Sequence, residues 1–269
     1  MNIEEAIGIL NGKGIDEKMT DIYVDKSKIP YEKERYVKAI NKYRTYFNGD
    51  EIELFSAPGR SEIGGNHTDH QRGEVLAASI NKDAIAVASK LDEPLVKVMS
   101  DGYRERITIS LNDLEKKVEE EGTTNALIRG VLVKMRMNGH NIGGFQAYVT
   151  SDVLIGAGLS SSAAFETLIG TILSYMYNDG EVTPIEIAKI GQYAENIYFG
   201  KPCGLMDQMA CSVGSLVHID FADPENPIVE QVDFDMNAYG YSLCITDTKG
   251  SHADLTPDYA AIPQEMKQA

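Results

Sequence analysis

Arg60, His67, Asp69 and His70 stand together in GRSEIGGNHTDHQRGE, residues 59–74. Three chemistries fit such a stretch: a metal site, a polar loop without chemistry, or one half of a site completed elsewhere. A zinc site needs a further His, Cys or carboxylate at suitable spacing. His140, His218 and His252 lie in unrelated contexts and supply no such pattern. A second stretch, SDVLIGAGLSSSAAFE at 151–166, has a strand entering a glycine turn and a serine run opening an apolar helix. A helix start presents free N–H groups and positive potential to an anion. Gly156, Ala157, Gly158 and Leu159 would let a phosphate approach the backbone, and Ser160, Ser161 and Ser162 could bond phosphate oxygens or a metal ion. Without the G-K-[ST] ending this is no Walker loop, and a ligand-free Gly/Ser helix cap is the alternative. A third stretch, YAENIYFGKPCGLMDQMA, carries Glu195 and Asp207, with Gly200 and Gly204 bending the chain between them. Singly each acid reads as a solvated residue or a cap; beside a nucleotide loop they become a metal ligand and a base.

These residues need elements to hold them. Residues 1–50 read as a charged, mostly helical lead-in, best seen in YEKERYVKAINKYRTYF and ended by Asn48-Gly49. A strand EIELFSAP follows, closed by Pro58-Gly59. Separate strand runs are expected at 75–80, 84–91, 95–100 and 105–111, with Asp92-Glu93-Pro94 making a hairpin or tight connection. The spacing predicts a helix from Thr123 or Thr124 to Asn138, then a strand GGFQAYVTSDV, then a helix over 160–177. Thr183-Pro184-Ile185-Glu186 is a capping box opening a helix that runs to Phe199 and stops at Gly200. SLVHID, IVEQVDF and YSLCITDT read as further strands. Mixed strands and helices without strict alternation predict an α+β fold.

Composition narrows the partners. The 269 residues carry a formal charge of −16 with 43% hydrophobic residues and no basic block. A sizeable core is therefore available, while nucleic acid and anionic membrane surfaces are disfavoured. Three cysteines without a pairing framework, no signal-peptide layout and no spanning apolar run predict a cytoplasmic protein.

Three segments, APGRSEIGGNHTDHQRGEVLAASI (57–80), VLIGAGLSSSAAFE (153–166) and AENIYFGKPCGLMDQ (194–208), together resemble galactokinases of the GHMP small-molecule kinase superfamily. The resemblance spans about residues 50–260. It implies a GHMP kinase fold, with a first domain (1–205) like the ribosomal protein S5 domain 2-like fold and an incomplete second domain (206–269). It implies transfer of phosphate from ATP, with Mg²⁺, to the anomeric hydroxyl of galactose or a close relative. Arg60 and Asp207 match the catalytic positions, Asp207 as base or orienter of the hydroxyl. Asn66, His67, Asp69, Gly204 and Tyr259 match sugar contacts; residues 156–162 match the phosphate loop; Ser162 and Glu195 match the Mg²⁺ ligands.

The family's G-E-H-T-D-Y appears here as Gly65-Asn66-His67-Thr68-Asp69-His70, so a glutamate and a tyrosine are replaced. An amide both donates and accepts, which makes Asn66 the position on which sugar identity turns. Leu154 stands where the family commonly has proline. The family's second glycine-rich motif has no counterpart after Tyr259, and PQEMKQA stops inside a helix-like run. The expectation is a truncated second domain with exposed strands, the chain alone being inactive, weakly folded or completed by another copy. Two competing functions are a non-catalytic sugar and nucleotide sensor on the same fold and a metal-dependent hydrolase using His67, Asp69 and His70.

Overall fold

The computed structural model describes residues 1–154, 156, 158–246, 261 and 265. Ala157 and Tyr259, two of the expected site residues, lie outside the described residues, as does His252.

Seven strands form one sheet: β1 (Glu53–Gly64), β2 (Glu74–Leu91), β3 (Leu95–Ser100), β4 (Ile107–Ser110), β5 (Gly144–Ser151), β6 (Leu216–Asp220) and β7 (Ile228–Gln231). The order is β4-β3-β5-β2-β6-β7, with β1 on the other edge of β2. All pairings are antiparallel except β3 with β5. Helices α4 (Thr124–Met137), α5 (Ser161–Tyr177), α6 (Pro184–Tyr193) and α7 (Met206–Val213) cover one face; α1 (Ile3–Asn11), α2 (Asp16–Tyr23) and α3 (Ile29–Tyr46) cover the other. The expected α+β architecture is observed, with helices on both faces of a mostly antiparallel sheet.

Alternation along β2 explains the two layers. Ala84, Ala86 and Ala88 face the core of α4 to α6, while Ile85 and Val87 join Tyr36, Ile40 and Tyr43 of α3. Both faces are buried, so the strand reads as a continuous apolar run. Residues 1–50 are thus a packed layer with Tyr23 and Tyr43 fully buried, more than a charged lead-in.

Four expectations about the elements need correction. The runs at 75–80 and 84–91 are one strand, because Asn81-Lys82-Asp83 stays extended and Asp83 is buried. Pro58-Gly59 does not end β1; the strand continues to Gly64 through register shifts. Proline fits there because β1 is an edge strand, where its missing N–H breaks no ladder. Asp92-Glu93-Pro94 is a tight connection but no hairpin, since β5 lies between β2 and β3. Residues 241–246 of the expected strand YSLCITDT carry no strand, and the next two lie outside the described residues.

One half of the capping box is observed, with Thr183 Oγ1 accepting from the Glu186 N–H at 3.2 Å, while Glu186 Oε1 turns to Asn138 and His140 instead of back to Thr183. The helix it opens changes at Ala194 to a π-helical turn, Ala194–Phe199, and stops at Gly200 with φ +84°. The packing runs through residues 205 and 206 without a break, since α7 and β6 share a core with β2. Between 232 and 245 the apolar side chains Val232, Phe234, Tyr239, Tyr241, Leu243 and Ile245 are exposed.

Candidate active site

Arg60, on β1, is where the three sequence stretches meet. Its Nε donates to Asp207 Oδ1 at 2.7 Å and its Nη2 to Asp207 Oδ2 at 2.8 Å, a two-point clamp. Its Nη1 donates to the Gly158 carbonyl at 2.6 Å. The edge of β1 is closed by the same glycine loop, since the Arg60 N–H reaches the Leu159 carbonyl at 3.2 Å. Gly59 permits this approach: a Cβ there would lie 2.8 Å from the Leu159 carbonyl oxygen. One edge strand thereby fixes both the arginine and the loop.

Asp207 lies in the first turn of α7, where negative charge is favoured. Burial opposes its ionisation, but the Arg60 charge, the paired bonds and the Ser160 hydroxyl hold its carboxyl below the ordinary value. Ser160 Oγ sits 2.5 Å from Asp207 Oδ2. Its side chain is therefore not the cap of α5, whose N-terminus carries no side-chain cap. Ser160 itself is left-handed, φ 57°. The start of α5 thus retains open backbone donors beside the loop.

Ser162 and Glu195 also converge. Ser162 Oγ donates to Glu195 Oε1 at 3.2 Å, and Glu195 is 3% exposed. The other oxygen, Oε2, accepts from Gln208 Nε2 at 2.8 Å. The same Gln208 nitrogen lies 3.1 Å from Glu166 Oε2. Glu166 is enclosed; burial first, and then the Glu195 charge, push its carboxyl well above the carboxylate range. A hydroxyl and one carboxylate oxygen fit Mg²⁺ held jointly with nucleotide phosphates. Among the described residues no three His, Cys, Asp or Glu side chains are grouped to hold a metal by themselves.

On the other side of Arg60, Asp69 is 8% exposed and accepts the Met206 N–H on Oδ2 at 3.2 Å. Its Oδ1 is buried with no partner among the described residues. Gly204 is required here, because a Cβ would come within 1.8 Å of Asp69 Oδ2. His67 and Asn66 both adopt left-handed backbone, φ 58° and 54°. Asn tolerates that region better than most residues, which gives Asn66 a backbone reason of its own. Asn66 and His70 are exposed. The His67 N–H donates to Glu62 Oε1 at 3.0 Å.

Of the expected residues, Arg60, Gly158, Ser160 and Asp207 form one connected cluster, and Ser162 with Glu195 a second. Asp69 and Gly204 form a third that reaches α7 through Met206. Glu62, Glu166, Gln208 and Lys201 were not singled out by sequence. The signal for Glu62 was its spacing, two residues after Arg60 on a strand; Gln208 carried none beyond adjacency to Asp207.

Two family models match this chain. Residues 126–215 match the GHMP kinases N terminal domain, and residues 41–90 the galactokinase galactose-binding signature. The chain belongs to the GHMP kinases. Within them its likeness is to galactokinases: it is 31% identical to one from Streptomyces coelicolor over 81% of this chain and 56% of that protein. A galactokinase from Pyrococcus furiosus is 35% identical over 66% of this chain and 49% of its own length. The chain thus spans about half the length of these curated relatives. The fold matches Lactococcus lactis galactokinase solved with galactose, with TM-score 0.69 at 24% identity, over 87% of this chain and 62% of that one. No helix among the described residues is long and apolar enough to cross a membrane.

Proposed function

We propose that this chain carries the sugar-binding and phosphoryl-transfer residues of an ATP-dependent kinase acting on the anomeric hydroxyl of galactose or a closely related sugar. One observation carries the sugar half: the buried Oδ1 of Asp69, unpartnered among the described residues. A buried carboxylate oxygen without a donor is costly, and a sugar hydroxyl is a donor of the right size. Asp69 accepts a hydrogen bond from the backbone of Met206, the residue before Asp207. The likeness to galactokinases supports galactose as the sugar.

Phosphoryl transfer requires positioning and charge neutralisation more than covalent help. Asp207, held ionised by Arg60, accepts a hydrogen bond from the attacking hydroxyl and takes its proton late. As a depressed carboxylate it is a weak base, so orientation is its larger contribution. The hydroxyl oxygen bonds the terminal phosphorus while the bridging oxygen departs on ADP. Arg60 has guanidinium N–H groups beyond the three used on Asp207 and Gly158, and these can neutralise charge on the moving group. The glycine turn and the open start of α5 cradle the nucleotide phosphates. Mg²⁺, held by Ser162 and Glu195, would screen the phosphate charge.

A non-catalytic sensor has no need of an arginine clamped on an aspartate between loop and sugar cleft. For the hydrolase reading, the metal cluster it requires is not found among the described residues. The test is ADP release from Mg²⁺ and ATP with a panel of hexoses. Turnover with galactose is expected; ATP binding without turnover on any hexose would sink the proposal.

A further inference from the structure

A triphosphate brings several negative charges to a protein of formal charge −16, and residues 151–166 contain neither Lys nor Arg. Arg60 is engaged with Asp207 and the Gly158 carbonyl. A further cationic side chain is Lys201, whose Nζ lies 3.4 Å from Glu195 Oε1. That oxygen is the one facing the Ser162 hydroxyl.

The backbone aims this lysine. The N–H groups of Gly200 and Lys201 both donate to the Glu195 carbonyl, at 3.0 and 3.1 Å, folding the chain back over Glu195. Gly200 makes the reversal with φ +84°, and Pro202 restricts Lys201 to extended backbone. The side chain is 42% exposed, against 3% for Glu195, so the ammonium can leave its partner without a buried void opening. Glu195 is held independently through its other oxygen by Gln208, which is fully buried. Glu195 therefore keeps its place when Lys201 moves.

We propose that Lys201 is a nucleotide-binding residue: it neutralises Glu195 in the ligand-free protein and transfers its charge to the triphosphate when the divalent ion takes up Glu195. This rests on the nucleotide-loop reading above. The exchange keeps the cation count at Glu195 constant while adding one positive charge to a loop that has none of its own.

Calorimetric titration of the chain with Mg·ATP, adenosine and galactose tests it, using Lys201→Met and Lys201→Arg. Lys201→Met is expected to weaken Mg·ATP about 10-fold or more, the scale of one charge-assisted bond. Adenosine and galactose affinities should stay within about 2-fold, and Lys201→Arg should retain Mg·ATP binding within about 3-fold. The Mg·ATP difference should shrink at high salt. Unchanged Mg·ATP binding in Lys201→Met would overturn the assignment while leaving the nucleotide site intact. Equal loss for adenosine would mark the lysine as merely structural and would overturn it too. Wild-type protein that binds no Mg·ATP would remove the nucleotide reading, and the lysine's role with it.

Discussion

Two buried arginines, Arg35 and Arg60, each lie 2.7 Å from an aspartate, and the surroundings of the two pairs separate a clamp from a candidate site. Arg35, on α3, lies 2.7 Å from Asp83 Oδ1 and also bonds Glu32 at 2.6 Å. Asp83 Oδ2 takes the Tyr23 and Ser56 hydroxyls at 2.7 and 2.5 Å. Burial above all, then the neighbouring Tyr36 and Asp83, push the Tyr23 phenol up, so it remains a donor. Arg60 and Asp207 pair at similar lengths, though through two bonds, Nε to Oδ1 and Nη2 to Oδ2, where Arg35 meets one Asp83 carboxylate oxygen. The difference is the aspartate's open side: the Asp207 side chain is 30% exposed and that of Asp83 4%. Asp83 has no direction left in which to meet a ligand. Asp207 does, beside the start of α5, which carries no side-chain cap. A buried ion pair is weak evidence of chemistry by itself; an ion pair with one open side, between the glycine loop and the buried Asp69 carboxylate, is stronger evidence.

That contrast breaks most visibly in turnover. Asp207→Asn should lower kcat by roughly 10²- to 10⁴-fold, the range for a positioned acid or base, with sugar and ATP affinities nearly unchanged. Asp83→Asn should do the reverse. Glu32 still pairs with Arg35, but losing the Asp83 charge that also accepts the Tyr23 and Ser56 hydroxyls is expected to cost about 3 kcal/mol in urea unfolding, with turnover per folded molecule unaltered. If the two substitutions behave alike, the distinction between clamp and site fails.

Asp69→Ala sharpens the comparison at the sugar side. It should weaken galactose binding by about 10- to 100-fold, as for loss of one hydrogen bond to a charged group, and leave Mg·ATP affinity intact. Gly204→Ala should weaken the same binding by displacing Asp69, because the added Cβ meets its carboxylate. Equal losses for sugar and nucleotide would mean that Asp69 supports the whole cleft.

The smallest effect is on the pH dependence of stability. The Asp207 carboxyl is depressed in the folded protein, so the pair's contribution is present above the ordinary aspartate value of 3.8 and lost as pH falls through the folded value. Urea midpoints of wild type and Asp207→Asn should therefore converge as the pH is lowered below about 4. A gap that persists or widens in acid would contradict the assigned direction.

The residues that meet around Arg60 were more legible than the elements that bring them together. Arg60, the glycine–serine loop and Asp207 each carry local chemistry, and local chemistry survives in sequence. The long β2 does not: Asn81-Lys82-Asp83 looks like a turn until Tyr23 and Arg35, far away in the chain, satisfy Asp83 inside the core. Pro58 reads as a stop unless the strand is known to lie at an edge. Gln208 and Glu62 act by holding other side chains, which requires tertiary contacts that spacing does not encode. The N-terminal helices were visible, but their role as a second layer depends on the large residues of β2 that they cover.

The most direct test of the central claim is the position of the phosphate in the product. Protein incubated with galactose, ATP and Mg²⁺ should yield, by phosphorus and carbon NMR, a sugar phosphorylated on the anomeric oxygen, and Asp207→Asn should yield almost none. Phosphate on the primary hydroxyl, or ADP release with no phosphosugar formed, would contradict the account.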